Sequence, residues 1–267
     1  MRDGSSMEGG DRYRLGTLLG KAGRLAEAAR LLREAGDLEP GRAEARYNHG
    51  VCLCRLHQYR QAAAAFRDAL RVRPGYWKAR YNLGVALLES GRYEEAADAF
   101  RETAERHPGN ARPLYNLGKA YAALGRERDA AASYREAARL PPGHAAAHAA
   151  LGAILYRRGK LEDAAEEFRR AIRLRPKDGR AYNGMGAALY GLGRLAEAEE
   201  AFRAAVRFFP GGAGAHFNLG LCLLLRNDRE GVSRQVPALS SLDPVLAARY
   251  ESLIRSRLGM VPARGSR

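Results

Sequence analysis

Trp77 to Asn110 reads WKARYNLGVALLESGRYEEAADAFRETAERHPGN, a stretch of 34 residues. Apolar residues fall at helical spacing in its first half (Tyr81, Gly84, Leu87, Leu88) and again in its second (Ala96, Ala97, Phe100). Gly91 parts the halves and Pro108 closes the second. The pattern predicts two short amphipathic helices joined by a turn. Such a hairpin is too small to bury its own apolar face, so it needs neighbours.

The same residues return when the frame is shifted by 34 in either direction. Glycine holds the eighth place of every repeat: Gly16, Gly50, Gly84, Gly118, Gly152, Gly186 and Gly220. Alanine holds the twentieth, from Ala28 through Ala62, Ala96, Ala130 and Ala164 to Ala198, with Val232 in the last. Proline holds the thirty-second, from Pro40 to Pro244. This set resembles the tetratricopeptide repeat family, whose period is 34 residues. The resemblance implies an all-α fold: a right-handed α-solenoid of about seven helical hairpins, each burying its neighbour.

Each recurring residue has a physical reason. Glycine and alanine belong where the two helices of a hairpin cross, because a larger side chain there overpacks at about 1–3 kcal/mol. The twenty-fourth place is mostly aromatic (Phe66, Phe100, Tyr134, Phe168, Phe202) and is expected to fill the gap toward the next hairpin. The turn between helices requires a residue that tolerates positive φ. The sequence supplies Gly23, His57, Gly91, Gly125, Gly159, Gly193 and Asn227, and His and Asn are among the few other residues enriched there.

The expected organisation is a disordered leader over residues 1–8 and an array over 9–242, with repeats starting near 9, 43, 77, 111, 145, 179 and 213. Asp11 reads as the first helix cap. The seventh repeat departs from the pattern: Gly231 and Pro237 predict a second helix that is broken or starts late, near Arg234 or Gln235. Asp243 and Pro244 then signal a fresh helix start. Val245, Leu246, Tyr250, Leu253, Ile254 and Leu258 form its apolar stripe, so residues 243–259 read as a capping helix and 260–267 as a mobile tail. No equivalent cap precedes the first repeat, which leaves an apolar N-terminal face open to a partner or to self-association.

The net charge is +15, and only five of 45 basic residues are lysine. That balance favours acidic partners and also raises non-specific affinity for nucleic acid. No apolar run is long enough for a membrane span. The opening residues lack the apolar core of a secretory signal, so a cytoplasmic location is expected. The three cysteines Cys52, Cys54 and Cys222 suit a reducing compartment and a packing role.

In the family, the first helices of successive repeats line a concave groove. Carried over place by place, the resemblance puts Tyr47, Asn48, Tyr81, Asn82, Tyr115 and Asn116 on that wall. An asparagine amide donates and accepts at once, so such a row can hold the backbone of an extended peptide. A similar row occurs in the repeat region of O-linked N-acetylglucosamine transferases, and the Tyr-Asn pair is also simply the family consensus. Groove cations Arg14, Lys21, Arg55, Lys78, Arg112, Lys119, Arg157 and Arg180 face only Glu44 and Glu89. Lys78, Arg112 and Lys119 join the Tyr-Asn row as the candidate binding residues.

The family's carboxylate clamp pairs Lys at place five with Asn at place nine. Here those places hold Tyr13 with Thr17 and Tyr47 with Val51, which disfavours it. The arginine row at place twenty-five, Arg33 to Arg203, reads as a solvated back face. Catalytic and cofactor signals are absent. The Gly16–Ala22 stretch lacks the spacing and hydroxyl of a phosphate loop. The pair His144 and His148 has no carboxylate between and reads as structural. The expected function is a non-catalytic scaffold that grips a protein or peptide segment, acidic in character, with no cofactor. The rivals are nucleic-acid binding through the basic surface, and a regulatory array serving a separate enzyme such as a glycosyltransferase.

Overall fold

The computed structural model describes residues 7–258, and among them every regular element is a helix. The expectations for residues 1–6 and for 259–267, including most of the leader, the last residue of the capping helix and the tail, lie outside the described residues. By packing, the chain divides into two compact units, Met1–Leu140 and Pro141–Arg267.

The N-terminal unit holds four hairpins: α1 (Gly9–Lys21) with α2 (Leu25–Leu38), α3 (Ala43–Arg55) with α4 (Tyr59–Val72), α5 (Trp77–Glu89) with α6 (Tyr93–Arg106), and α7 (Ala111–Ala123) with α8 (Glu127–Arg139). Within this unit the second helix of a hairpin packs on the first helix of the next: α2 on α3, α4 on α5 and α6 on α7. No centre dominates, and each layer buries its neighbour.

The glycine at the eighth place shows why the period holds. A Cβ on Gly50 would lie 2.6 Å from the Phe66 ring, on Gly84 2.7 Å from Phe100, and on Gly118 2.6 Å from Tyr134. Each ring therefore fills the space that its own repeat's glycine leaves vacant. Ala28, Ala62, Ala96 and Ala130 are all fully buried where the helices cross. The turns behave as read: Gly23, Gly91 and Gly125 have positive φ, and so does His57 at 59°. The first helix starts at Gly9, but Glu8 precedes it without a side-chain cap and Asp11 sits inside its first turn. The capping role assigned to Asp11 therefore fails; its carboxylate instead serves the positive end of the helix dipole.

The C-terminal unit holds α9 (Ala145–Arg157), α10 (Leu161–Leu174), α11 (Gly179–Gly191), α12 (Leu195–Phe208), α13 (Ala213–Leu225), α14 (Arg229–Leu242) and α15 (Pro244–Leu258). It corrects the reading of the seventh repeat, because α14 runs unbroken through Pro237. Gly231 is no breaker. A Cβ there would come within 2.5 Å of the Asp228 carboxylate, and Asp228 Oδ1 accepts from the Gly231 amide at 2.9 Å. The glycine makes room for the N-cap. Further on, a proline loosens the preceding turn and frees carbonyls there. Separately, Val232 O, five residues before Pro237, accepts a hydrogen bond from the Tyr250 hydroxyl of α15 at 3.2 Å.

Tyr250 has a second role. The seventh repeat carries Val236 where the second to sixth carry a ring, and Tyr250 of α15 fills the gap over Gly220 instead. It is fully buried, with Ala247 and Ile254 beside it on the inner face. Val245, placed on the apolar stripe by spacing, is 82% exposed. It stands in the first turn of α15, one residue off the face that packs on α13 and α14.

Candidate functional site

The repeated Tyr-Asn pairs lie on α3, α5 and α7 of the N-terminal unit, and the asparagines are already engaged. Asn82 Nδ2 donates to the Tyr47 hydroxyl at 3.1 Å, and Asn116 Nδ2 donates to the Tyr81 hydroxyl at 2.7 Å. Asn48 reaches back to Thr17 Oγ1 at 3.4 Å and Tyr13 at 3.5 Å. Each amide thus ties its helix to the first helix of the preceding repeat. A primary amide carries two N–H donors and a carbonyl, so one N–H is used and the carbonyl keeps its capacity to accept. In the C-terminal unit the same register joins Asn218 to Asn183, at 3.0 Å.

The tyrosine rings are fixed from below. Tyr47 packs on Phe66, Tyr81 on Phe100 and Tyr115 on Tyr134, with ring centroids 5.6–5.8 Å apart. The residue that fills the eighth-place glycine therefore also props the half-buried tyrosine of the same repeat. Burial raises the Tyr47 hydroxyl above its ordinary pKa, so it stays a neutral donor and acceptor.

Five of the nine candidate residues meet in one cavity of about 360 Å3: Tyr47, Lys78, Tyr81, Asn82 and Arg112, joined there by Trp77 and Asn110. The Arg112 guanidinium lies 5.8 Å from the Tyr81 ring centre, and Lys78 Nζ lies 5.8 Å from that of Trp77. Trp77 in turn stacks on His107 at 4.8 Å. Asn110 caps α7, accepting from the Arg112 amide at 3.1 Å. Asn48 lines a separate cavity between α1 and α3. Tyr115, Asn116 and Lys119 lie on α7 outside both.

Sequence reasoning passed over Trp77 and Asn110. They stand at the first and last places of a repeat, where the family pattern assigns no groove role. The signal was there: the only tryptophan in the chain, next to a lysine.

The charge balance of this surface is local. Neither Lys78 nor Arg112 has an ion pair among the described residues. Glu44, one of the two acids expected to oppose them, bonds Arg73 at 2.6 Å. Its own backbone amide, and then Arg73, hold that carboxyl below the usual range. On the second helices and at the residue preceding them the arginines are commonly neutralised: Arg67 and Arg92 on Glu95, Arg101 on Asp98, and Arg126 on Asp129. The two histidines that sequence spacing set four apart, and that read as structural, have such work in the C-terminal unit. His144 caps α9, and His148 pairs with Glu167 at 2.7 Å. No helix among the described residues is long and apolar enough to cross a membrane.

The comparisons agree with this architecture. The sequence profile of the family described as tetratricopeptide repeat matches residues 13–56, 54–111, 115–179, 155–213 and 183–230. No curated protein matches the chain. Among solved structures, MamA from residue 41 to its end, from Desulfovibrio magneticus RS-1, is 27% identical. It covers 63% of this chain and 96% of its own, with a TM-score of 0.59. The C-terminal part of a repeat protein from Cytophaga hutchinsonii is 16% identical over 89% of this chain and 98% of that one, with a TM-score of 0.71. YrrB, titled a TPR protein with an unusual peptide-binding site, is 23% identical over 71% and 99%, with a TM-score of 0.58.

Proposed function

We propose, on the premise that the chain belongs to the tetratricopeptide repeat family, that it works by binding and not by catalysis. The N-terminal unit holds an acidic segment of another protein. Tyr47, Asn48, Tyr81, Asn82, Tyr115 and Asn116 meet the segment's backbone, while Lys78, Arg112 and Lys119 meet its carboxylates. The observation that carries this reading is the cavity bounded by Tyr47, Trp77 and Tyr81, with Lys78 and Arg112 on its wall and no carboxylate lining it. Two unpaired cations held against aromatic walls suit an anionic group that approaches from outside.

The test uses a short fluorescein-labelled peptide of alternating Glu and Ala. Fluorescence anisotropy is expected to show saturable binding that weakens with salt. Lys78→Glu with Arg112→Glu is expected to lower the affinity by about tenfold or more, because like charges then oppose at close range. Equal binding by the reversed variant would overturn the assignment. A labelled RNA of mixed sequence is the control for the rival reading: RNA bound tightly while the peptide is not would favour nucleic acid.

A second reading concerns α1. Leu15 is 37% exposed and Leu18 62%, whereas their counterparts Leu83, Leu117, Ala86 and Ala120 are covered by the preceding repeat. This face supports docking of a second copy of the chain.

A further inference from the structure

The rings at the twenty-fourth place fill the glycine gap in three of the four repeats of the N-terminal unit. The first repeat carries Leu32 there. Its Cγ stands 2.9 Å from where a Cβ on Gly16 would be, so the near end of the gap is closed. An aromatic side chain reaches further. In the C-terminal unit, Phe168 extends from Gly152 to Gly184 at the sixth place of the following repeat, where a Cβ would meet its ring at 2.4 Å. In the first repeat the corresponding far end is empty. A cavity of about 210 Å3 lies there, bounded by Gly16, Leu32, Val51 and Cys52, with the sixth-place Asn48 at its side. Gly20, which has no side chain to project into the space, widens it. Burial raises the Cys52 thiol above its ordinary range, so the floor is uncharged.

The cavity also has a charged rim. Lys21 and Arg55 both line it, and neither has an ion pair among the described residues. Arg55 is held in place by a hydrogen bond from Nη1 to the Gly20 carbonyl at 2.7 Å. An apolar hole with two cations at its mouth, one of them held, suits an aromatic ring flanked by carboxylates, since cations favour both the ring face and the acids. The size is sufficient: an apolar cavity of about 150 Å3 already admits benzene.

We propose that this cavity is a subsite for one aromatic side chain of the acidic segment that the N-terminal unit binds. The inference rests on that reading of the basic surface and adds a sequence requirement to it. Tyr47 lines the basic cavity and its neighbour Asn48 lines this one, so the two are adjacent across α3. The cavities differ by one helix spacing of about 8–10 Å and by about two helical turns along the axes, Trp77 and Lys78 opening a helix while Lys21 and Arg55 close theirs, which together correspond to roughly four extended residues. The ligand class is therefore a segment with an aromatic residue about four positions from a pair of acidic ones.

Two labelled peptides of alternating Glu and Gly test it, one with a single Phe at that spacing and one with alanine in its place. The intact chain is expected to bind the Phe peptide about tenfold more tightly. Two substitutions close the hole from opposite sides. Leu32→Phe installs the ring that the other repeats carry. Gly20→Leu projects from a position where a Cβ meets only ordinary contacts, 3.5 Å from Cys52 Sγ. Both are expected to abolish the preference for Phe while leaving the alanine peptide's affinity and the helical circular dichroism unchanged. Equal binding of the two peptides by the intact chain would overturn the subsite and leave the acidic reading standing. Binding of neither peptide would overturn both. A preference that survives in both folded variants would overturn this location.

Discussion

Asn82 and Asn116 show how far a residue's role can differ from its type. From sequence, the row reads as a ladder free to hold the backbone of a peptide. The structure gives each amide a bond to the preceding repeat. Asn82→Ala with Asn116→Ala is therefore expected to lower stability by about 1 kcal/mol per bond, as well as weakening the acidic peptide. Tyr47→Phe with Tyr81→Phe separates the two effects. It removes the acceptors but keeps the rings that pack on Phe66 and Phe100. Thermal melts should then fall to a similar extent while affinity falls less. Stability unchanged in both double variants would show that these bonds contribute nothing. The sequence revealed which residues recur, because period and chemistry are both written in it. It did not reveal which rotamer an asparagine adopts, because its partner lies 35 residues back and is reached only when two helices stack.

At the scale of the helix, α14 is the instructive element. Proline in a helix interior costs about 3 kcal/mol by local rules, which made a broken helix the natural reading. Val232, Val236 and Leu239 are buried along one face, and Tyr250 bonds the Val232 carbonyl from another helix. Neither contribution is visible within a local window of sequence. Two substitutions of opposite sign check this account. Pro237→Ala is expected to stabilise, by up to about 3 kcal/mol, since the helix is already formed. Gly231→Ala is expected to destabilise by about 1–2 kcal/mol despite alanine's better propensity, because its methyl would collide with the Asp228 cap. Denaturant titration measures both, and a gain in stability from Gly231→Ala would refute the capping argument. The turns, by contrast, were fully legible, since positive φ at His57 and Asn227 admits few residue types.

For the molecule as a whole, the family and the all-α repeat fold could be read from spacing alone, because every repeat states the same packing rule. The candidate site could be read only in part. Five of its nine residues share a cavity, but the tryptophan beside them belongs to a repeat junction that the family pattern leaves unassigned. The same comparison between repeats picks out α1, whose two outward leucines have no covering helix among the described residues. Sedimentation equilibrium is expected to show association that rises with concentration and is lost in Leu18→Glu. A strict monomer at every concentration would end that reading. A further consequence follows from the amide-to-phenol bonds along α3, α5 and α7. A segment that donates to the Asn116 carbonyl draws electron density through the amide, tightening its grip on Tyr81 and sharpening that phenol as a donor in its turn. The gain stays within that pair, since no hydrogen bond joins the side chains of Tyr81 and Asn82, so each rung is stiffened only by the stretch of segment that lies on it.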